Sequence, residues 1–163
     1  MKRSTIIYAL LFALACGTAA AAEQRALQSW YFQGTAFREG SVAGLPAVRL
    51  ADGYLPAIII VDESPDAVRL PRGTGGVVVF CYVQNIGGKL SDHDGFLPVA
   101  GAAVELRRGA WRMAGRTDSL GYLVLAVPAG TYEITVKGQR REARVEMGRS
   151  ALVAVRTGKR MVD

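Results

Sequence analysis

The residues with the clearest chemical capacity stand together in one polar cluster, Ser91-Asp92-His93-Asp94-Gly95. Two carboxylates beside an imidazole suggest a site for a divalent cation. A calcium loop with Gly95 at its sixth position would need a carboxylate at its twelfth, where Gly101 stands instead. We therefore expect a turn with solvated carboxylates, with a weak cation site as the alternative, and we expect no bound metal or other cofactor.

The chain offers little for acid–base catalysis, because His93 is its only histidine. A serine nucleophile would need His93 as its base, and the sequence contains no Gly-x-Ser-x-Gly turn. The stretch Gly73-Thr74-Gly75-Gly76 lacks the lysine of a phosphate-binding loop and is interpreted as a flexible hinge. The sequence predicts a protein that is not an enzyme, and a small hydrolase that uses His93 is the alternative.

Positive charge is concentrated in the carboxyl half of the chain. Residues 23–104 carry 6 basic and 8 acidic side chains, whereas residues 105–163 carry 12 basic and 6 acidic ones. A basic face of this kind attracts anionic glycans, lipid headgroups or an acidic protein. The candidate residues for an anion- or partner-binding face are Arg107, Lys137, Arg140 and Arg144. The alternative is a solvated face on which basic side chains are interleaved with Glu133, Glu142 and Glu146.

The amino terminus has the pattern of a secretory signal. Lys2 and Arg3 precede an apolar run at 6–15, and small residues then lead to the polar Glu23. The pattern predicts cleavage after Ala22 and a periplasmic or secreted mature chain that has no transmembrane span and does not bind nucleic acid. Lipid attachment at Cys16 and an uncleaved anchor are the alternatives.

Removal of the signal leaves Cys81 as the only cysteine, so an internal disulfide is excluded. Cys81 stands within the apolar run Val77-Val78-Val79-Phe80-Cys81-Tyr82-Val83. We expect a buried thiol that packs as a small apolar side chain. The stability of the fold must then come from its core.

The carboxyl half alternates apolar and polar residues with a period of two, which predicts strands with one buried face. The apolar sets are Tyr132, Ile134 and Val136, then Ala143, Val145 and Met147, then Ala151, Val153 and Val155. Turn residues separate the runs at intervals of about ten residues, a spacing typical of a β-sandwich or barrel.

Three segments of this half carry a resemblance to a known family. They are Pro98-Val99-Ala100-Gly101-Ala102-Ala103-Val104, Thr117-Asp118-Ser119-Leu120-Gly121 and Val127-Pro128-Ala129-Gly130-Thr131-Tyr132. In this order they resemble the carboxypeptidase regulatory-like domain family. The resemblance implies an all-β fold, a seven-stranded transthyretin-like β-sandwich, and says almost nothing about function.

The turns of these segments have a physical interpretation of their own. The carboxylate of Asp118 is expected to cap its turn while Gly121 adopts a positive φ. Pro128 and Gly130 are expected to reverse the chain so that Tyr132 returns to the core. These residues are therefore assigned to the scaffold.

We expect four parts along the chain: a signal peptide at 1–22, an N-terminal β-rich extension at 23–75, the sandwich at 76–158 and a tail at 159–163. The first strand of the sandwich is placed at 76–84, and an exposed loop at 85–97. The extension is expected to contribute two or three short strands packed on the sandwich, with one helical turn around 24–30.

These observations favour an exported, noncatalytic module that binds or positions another cell-envelope component, either a protein or a carbohydrate. The alternative is a structural subunit of an envelope assembly that joins its neighbours through strand edges. The identity of the partner and the oligomeric state stay open at this point.

Overall fold

The computed structural model describes residues 27–60, 66–87 and 95–162. The predicted signal, its cleavage site after Ala22, Cys16 and residues 91–94 of the polar cluster lie outside the described residues, so the predictions made for them are not tested.

The described residues form twelve strands and no helix. The first four are β1 (Gln28–Phe32), β2 (Phe37–Glu39), β3 (Ala47–Leu50) and β4 (Ala57–Ile59). The other eight are β5 (Thr74–Gly87), β6 (Gly95–Pro98), β7 (Ala103–Arg108), β8 (Trp111–Arg116), β9 (Tyr122–Pro128), β10 (Gly130–Val136), β11 (Gln139–Val145) and β12 (Ser150–Val162).

The strands are arranged in three sheets. The N-terminal sheet has the order β2-β1-β3-β4, and the C-terminal sheet has the order β11-β10-β7-β8. The middle sheet is built around β5, which pairs in parallel with β12 along one edge. On its other edge β5 pairs antiparallel with β9 and then, further along, with β6.

Strand β5 explains why there are three layers. Its residues Val77, Val79 and Cys81 pack with the C-terminal sheet, and Val78, Phe80 and Tyr82 pack with the N-terminal sheet. A strand covered on both faces has no solvated side and needs no polar alternation. The unbroken apolar run at 77–83 is therefore the signature of a strand in the middle layer.

The prediction of an all-β, sandwich-like fold is confirmed, but the count of seven strands is not. The described part of the chain after residue 73 contains eight strands, because the short β6 joins the edge of β5. Before it lie four strands rather than two or three. The helical turn expected around 24–30 is wrong for its described part, because Gln28–Phe32 is a strand. The division of the chain at residue 75 stays a prediction.

The turn chemistry is confirmed. The Asp118 carboxylate accepts hydrogen bonds from the backbone N–H groups of Leu120 and Tyr122, at 2.9 and 2.8 Å. Gly121 has a φ of 81°. The hydroxyl of the buried Tyr132 donates a hydrogen bond of 2.6 Å to the carbonyl of Pro128. This bond ties β10 to the end of the preceding strand.

Three other expectations need correction. Residues 85–97 are not one loop, since their two described ends belong to β5 and β6. The hinge expected at 73–76 is wrong, because Thr74 already begins β5 and the next two glycines lie in close packing. Met147 does not continue the buried set of β11 but is 68% exposed in the turn after it.

Candidate functional site

The four basic residues predicted to form a partner-binding face lie on or beside the C-terminal sheet. Arg107 is on β7, and Arg140 and Arg144 are on β11. Lys137 is in the two-residue turn between β10 and β11, where its φ is 46°. In the antiparallel pair β10 and β11, directly paired residues lie on the same face of the sheet. The β10 residues paired with Arg140 and Arg144 lie on the face opposite the buried Ile134, so both arginines are on the solvent face.

Three of these four residues form ion pairs with neighbouring glutamates. The pairs are Arg107 with Glu105 at 3.8 Å, Arg140 with Glu133 at 3.5 Å and Arg144 with Glu146 at 3.8 Å. Exposed pairs of this kind are worth about 0–1 kcal/mol each. The surface therefore carries both signs of charge, as the alternative interpretation expected, and its role in binding stays a prediction.

A second candidate site is a cleft of about 570 Å³ between the N-terminal sheet and β12. The apolar part of its wall comes from Trp30, Phe37 and Leu50 on one side and from Leu152 and Ala154 on the other. It lies where β12 is the edge of the middle sheet and no further described strand closes the space between the two layers.

Two residues that line this cleft each have an unusual polar atom. The indole Nε1 of Trp30 and the hydroxyl of Ser150 are both buried, and neither has a hydrogen-bond partner among the described residues. An unsatisfied buried donor or acceptor costs about 1–3 kcal/mol. They are the only such side-chain atoms in the described part of the chain, and both belong to residues that line the same cleft.

A smaller cleft of about 400 Å³ lies on the outer side of the N-terminal sheet. Its wall includes Val42 and Ile60, which are 42% and 59% exposed. Arg49, which also lines it, has an interaction partner. This cleft contains no unsatisfied polar side-chain atom among the described residues, so it has less to offer a ligand.

The titratable groups with shifted pKa values belong to the core. Burial raises the pKa of the Cys81 thiol to about 11, against a smaller opposing effect of Lys137. Burial, and to a lesser extent the charge of Asp118, raises the pKa of Tyr122 to about 12. Burial also raises the pKa of Tyr132, although Arg108 opposes it. None of the three lines either cleft described above, so the shifts reflect packing. The prediction that Cys81 is a buried, unpaired thiol is confirmed.

Within residues 27–60, 66–87 and 95–162, no group of three or more His, Cys, Asp or Glu side chains is placed to hold a metal ion. The same residues include no helix of the length and apolarity that a membrane crossing requires. The cation site considered for the polar cluster falls mostly outside this part of the chain.

No family model matches the chain, and no curated protein matches it. Among solved structures, the Bacillus anthracis TIE protein is similar with 15% identity and a TM-score of 0.40, over 70% of this chain and 25% of that one. GBS52, the minor pilin of the Gram-positive pathogen Streptococcus agalactiae, is similar with 15% identity and a TM-score of 0.41, over 96% of this chain and 79% of that one.

The chain thus spans a quarter of the length of the TIE protein. Likenesses of this size carry no argument about what the chain does. The specific resemblance to the carboxypeptidase regulatory-like family stays a prediction.

Reasoning from the sequence missed Trp30 and Ser150. In the sequence, Trp30 is one of several aromatic residues near the amino terminus, and Ser150 directly follows the turn residues Gly148 and Arg149. The sequence carries one detectable signal, and it concerns Ser150. Alternate residues of a strand share a face, so Ser150 lies on the same face of β12 as Leu152 and Ala154.

Proposed function

We propose that this chain is the noncatalytic β-sandwich module of an exported protein and that it binds or positions another component of the cell envelope, either a protein or a carbohydrate. The export pattern at 1–22 and the single histidine support the first part. The location of the shifted pKa values in the core, away from the clefts, also agrees with a role without catalysis.

The observation that carries the binding role is the cleft beside Trp30. Binding sites are usually concave and mostly apolar, with a few polar groups that fix the orientation of the ligand. Buried polar groups in folded proteins are nearly always paired. A ligand that accepted a hydrogen bond from the Trp30 indole and bonded to the Ser150 hydroxyl would satisfy both orphan groups.

Photo-crosslinking in intact cells tests the binding role. In one variant a photoreactive residue replaces Thr35, which is exposed at the cleft. In a matched variant it replaces Ala114, which is exposed on β8. We expect a discrete adduct with an envelope component from position 35 and none from position 114. If neither of these positions nor others spread over the surface gave an adduct, the proposed function would be wrong.

A structural role in an assembly is the second candidate, and the open edge of β12 favours it. Size measurements on the mature protein distinguish the two roles. A monomer at high concentration contradicts self-assembly, whereas a growing series of oligomers contradicts a simple binding module.

A further inference from the structure

The strand edges of this protein differ in how well they are protected from pairing. Charged side chains on an edge strand discourage the addition of another strand. Strand β11 carries three arginines and a glutamate, and β8 carries two arginines. By contrast, residues 150–155 of β12 are Ser-Ala-Leu-Val-Ala-Val, without one charge. The edge strands β2 and β4 have three residues each. The middle sheet has two long uncharged edges among the described strands, β12 at residues 150–155 and β9, which pairs only with β5. Of these two, only β12 contributes residues to the cleft beside Trp30.

One side of β12 is unpaired among the described strands. It pairs with β5 in a regular parallel register from Ser150 to Arg156, and no described strand pairs with its other side. Alternate backbone N–H and C=O groups of an edge strand point away from its single neighbour and are available for hydrogen bonding. A register shift between Arg156 and Gly158 ends the regular part.

The cleft lies beside this edge. Leu152 and Ala154 point towards the N-terminal sheet and line the cleft, while Val153 and Val155 point towards the C-terminal sheet. A strand added to β12 would continue the middle sheet, so every second side chain of that strand would point towards the N-terminal sheet. Those side chains would enter the cleft, where the indole N–H of Trp30 and the hydroxyl of Ser150 have no partner.

We propose that the edge of β12 at residues 150–155 binds an extended segment of a partner protein as an added strand, with alternate apolar side chains of that segment seated in the cleft beside Trp30. The proposal rests on the proposed function and specifies its ligand as a polypeptide. Backbone hydrogen bonds would supply affinity, and the cleft would select the alternate side chains.

The charge around the edge indicates the flanks of the bound segment. Residues 139–158, which form β11, the following turn and most of β12, contain five arginines and two glutamates. Arg144 and Arg149 share Glu146, and their side chains are 80% and 67% exposed. A segment with acidic residues beside its apolar ones is therefore complementary to this edge.

Selection from random twelve-residue peptides displayed on phage tests the proposal, with the mature protein as bait. We expect selected peptides that alternate apolar and polar residues and carry aspartate or glutamate at their ends. Synthetic copies should shift the amide resonances of residues 150–155. Methylation of the alternate peptide nitrogens whose N–H groups face β12 should weaken binding at least tenfold. Methylation of the other set, whose N–H groups face away from β12, should leave binding unchanged.

Three variants locate the binding. Leu152→Lys places a charge in the cleft and should weaken binding at least tenfold, while the matched Ala114→Lys on β8 should leave it unchanged. Trp30→Phe keeps an aromatic ring but removes the indole N–H, and should weaken binding about threefold without lowering the unfolding temperature. If Leu152→Lys does not fold, Trp30→Phe still tests whether the cleft takes part in binding.

Several results would overturn the proposal: no peptide enriched above background, peptides without alternation, or binding that Leu152→Lys and Trp30→Phe both leave intact. A dimer that Leu152→Lys disrupts and that selected peptides do not displace would assign the edge to a second copy of this chain. Crosslinks in cells from position 114 and none from position 35 would leave the proposed function standing while rejecting this site.

Discussion

On one face of the middle sheet the packing is aliphatic, and on the other it is aromatic. Valine, leucine, isoleucine and alanine dominate the cluster towards the C-terminal sheet. Towards the N-terminal sheet, Phe32 is the centre of a group of rings, with centroids 4.8 Å from Phe80, 4.6 Å from Tyr82 and 4.8 Å from Phe96. A single strand, β5, contributes to both clusters.

The two faces of the middle sheet also differ in the interactions that hold the neighbouring sheet to them. The aliphatic side is tied by specific hydrogen bonds, such as that from the Thr117 hydroxyl to the Val99 carbonyl at 2.6 Å. No strand of the N-terminal sheet pairs with another sheet in the described chain, so that sheet is held mainly by its side chains. The cleft lies on the aromatic side, where the N-terminal sheet meets the β12 edge. The comparison suggests that one face is scaffold and the other contains the site.

The largest effects should come from the centres of the two clusters. We expect Phe32→Ala to cost about 4 kcal/mol and Leu106→Ala about 3 kcal/mol, from lost burial and residual cavities. Phe32→Ala should also speed amide exchange in β1 to β4 while β7 and β10 stay protected, because side-chain packing is the main contact that holds the N-terminal sheet. Urea titration and hydrogen exchange measure the two quantities.

Leu106→Ala is the matched control, since its cluster spans the C-terminal and middle sheets. It should speed exchange in both of them. If Phe32→Ala accelerated exchange equally throughout the molecule, the two faces would form one cooperative unit. That result would contradict the proposed difference between the aromatic and the aliphatic side.

Two neighbouring glycines of β5 probe the contrast in a second way. A Cβ at Gly75 would collide with the backbone carbonyl of Glu146 and approach that of Arg149 to 2.7 Å. A Cβ at Gly76 would collide instead with the Ser150 hydroxyl and approach Cδ of Pro56 to 2.7 Å. Backbone yields less than side chains, so we expect Gly75→Ala to cost about 3 kcal/mol and Gly76→Ala about 1–2 kcal/mol.

Gly95→Ala is the control for these variants, because nothing lies within 4 Å of the added Cβ and its φ needs no glycine. Its effect on the unfolding free energy should be within about 0.5 kcal/mol. Equal costs for Gly75→Ala and Gly76→Ala would contradict the view that the aliphatic side is the more rigidly closed one.

The sequence predicted the aliphatic side better than the aromatic side, for a physical reason. Strands with one solvated face are detectable in the sequence by alternation of apolar and polar residues, as at Tyr132, Ile134 and Val136. Turns such as that of Asp118 are determined by the residue types within the turn itself. A run such as 77–83 shows burial but not what covers its second face. Strands of three residues, such as β2 and β4, leave almost no periodic signal.

The candidate site was still harder to predict. Trp30 and Ser150 are far apart in the chain, and only the packing of two sheets brings both to the same cleft. The absence of a hydrogen-bond partner is a property of that packing, not of either residue type. The basic residues were easier to find, but the pairing of Arg107 with Glu105 depends on side-chain geometry. The pairing of Arg140 with Glu133 depends on the register of β10 and β11 as well.

A smaller effect is expected at high pH, from one tyrosine of each cluster whose pKa is raised. Tyr122 belongs to the aromatic side and Tyr132 to the aliphatic side, and burial raises the pKa of both. The folded protein keeps these protons where the unfolded chain has lost them, so stability is full below pH 10 and falls as the pH rises towards 12. Tyr122→Phe should reduce this slope by about 1.4 kcal/mol per pH unit, measured by urea titration.

The same variant should change stability much less at pH 7, where the phenol is protonated in both states. Tyr132→Phe is the comparison on the aliphatic side, and it also removes the hydrogen bond to Pro128. It should therefore cost about 1–2 kcal/mol already at pH 7. An unchanged slope for Tyr122→Phe would show that Tyr122 ionises in the folded protein as it does in the unfolded chain.

The smallest effect concerns Cys81, which lies on the aliphatic face of β5 and has a pKa of about 11 because of burial. Only the thiolate reacts with thiol reagents, so at pH 8 the folded protein should react at least a hundredfold more slowly than the unfolded chain. Reaction with a disulfide reagent, followed by absorbance, measures both rates. Phe32→Ala should leave the folded rate nearly unchanged, and Leu106→Ala should raise it, because only the second variant loosens the face on which the thiol lies. Equal acceleration by both variants would show that the two faces of β5 open together.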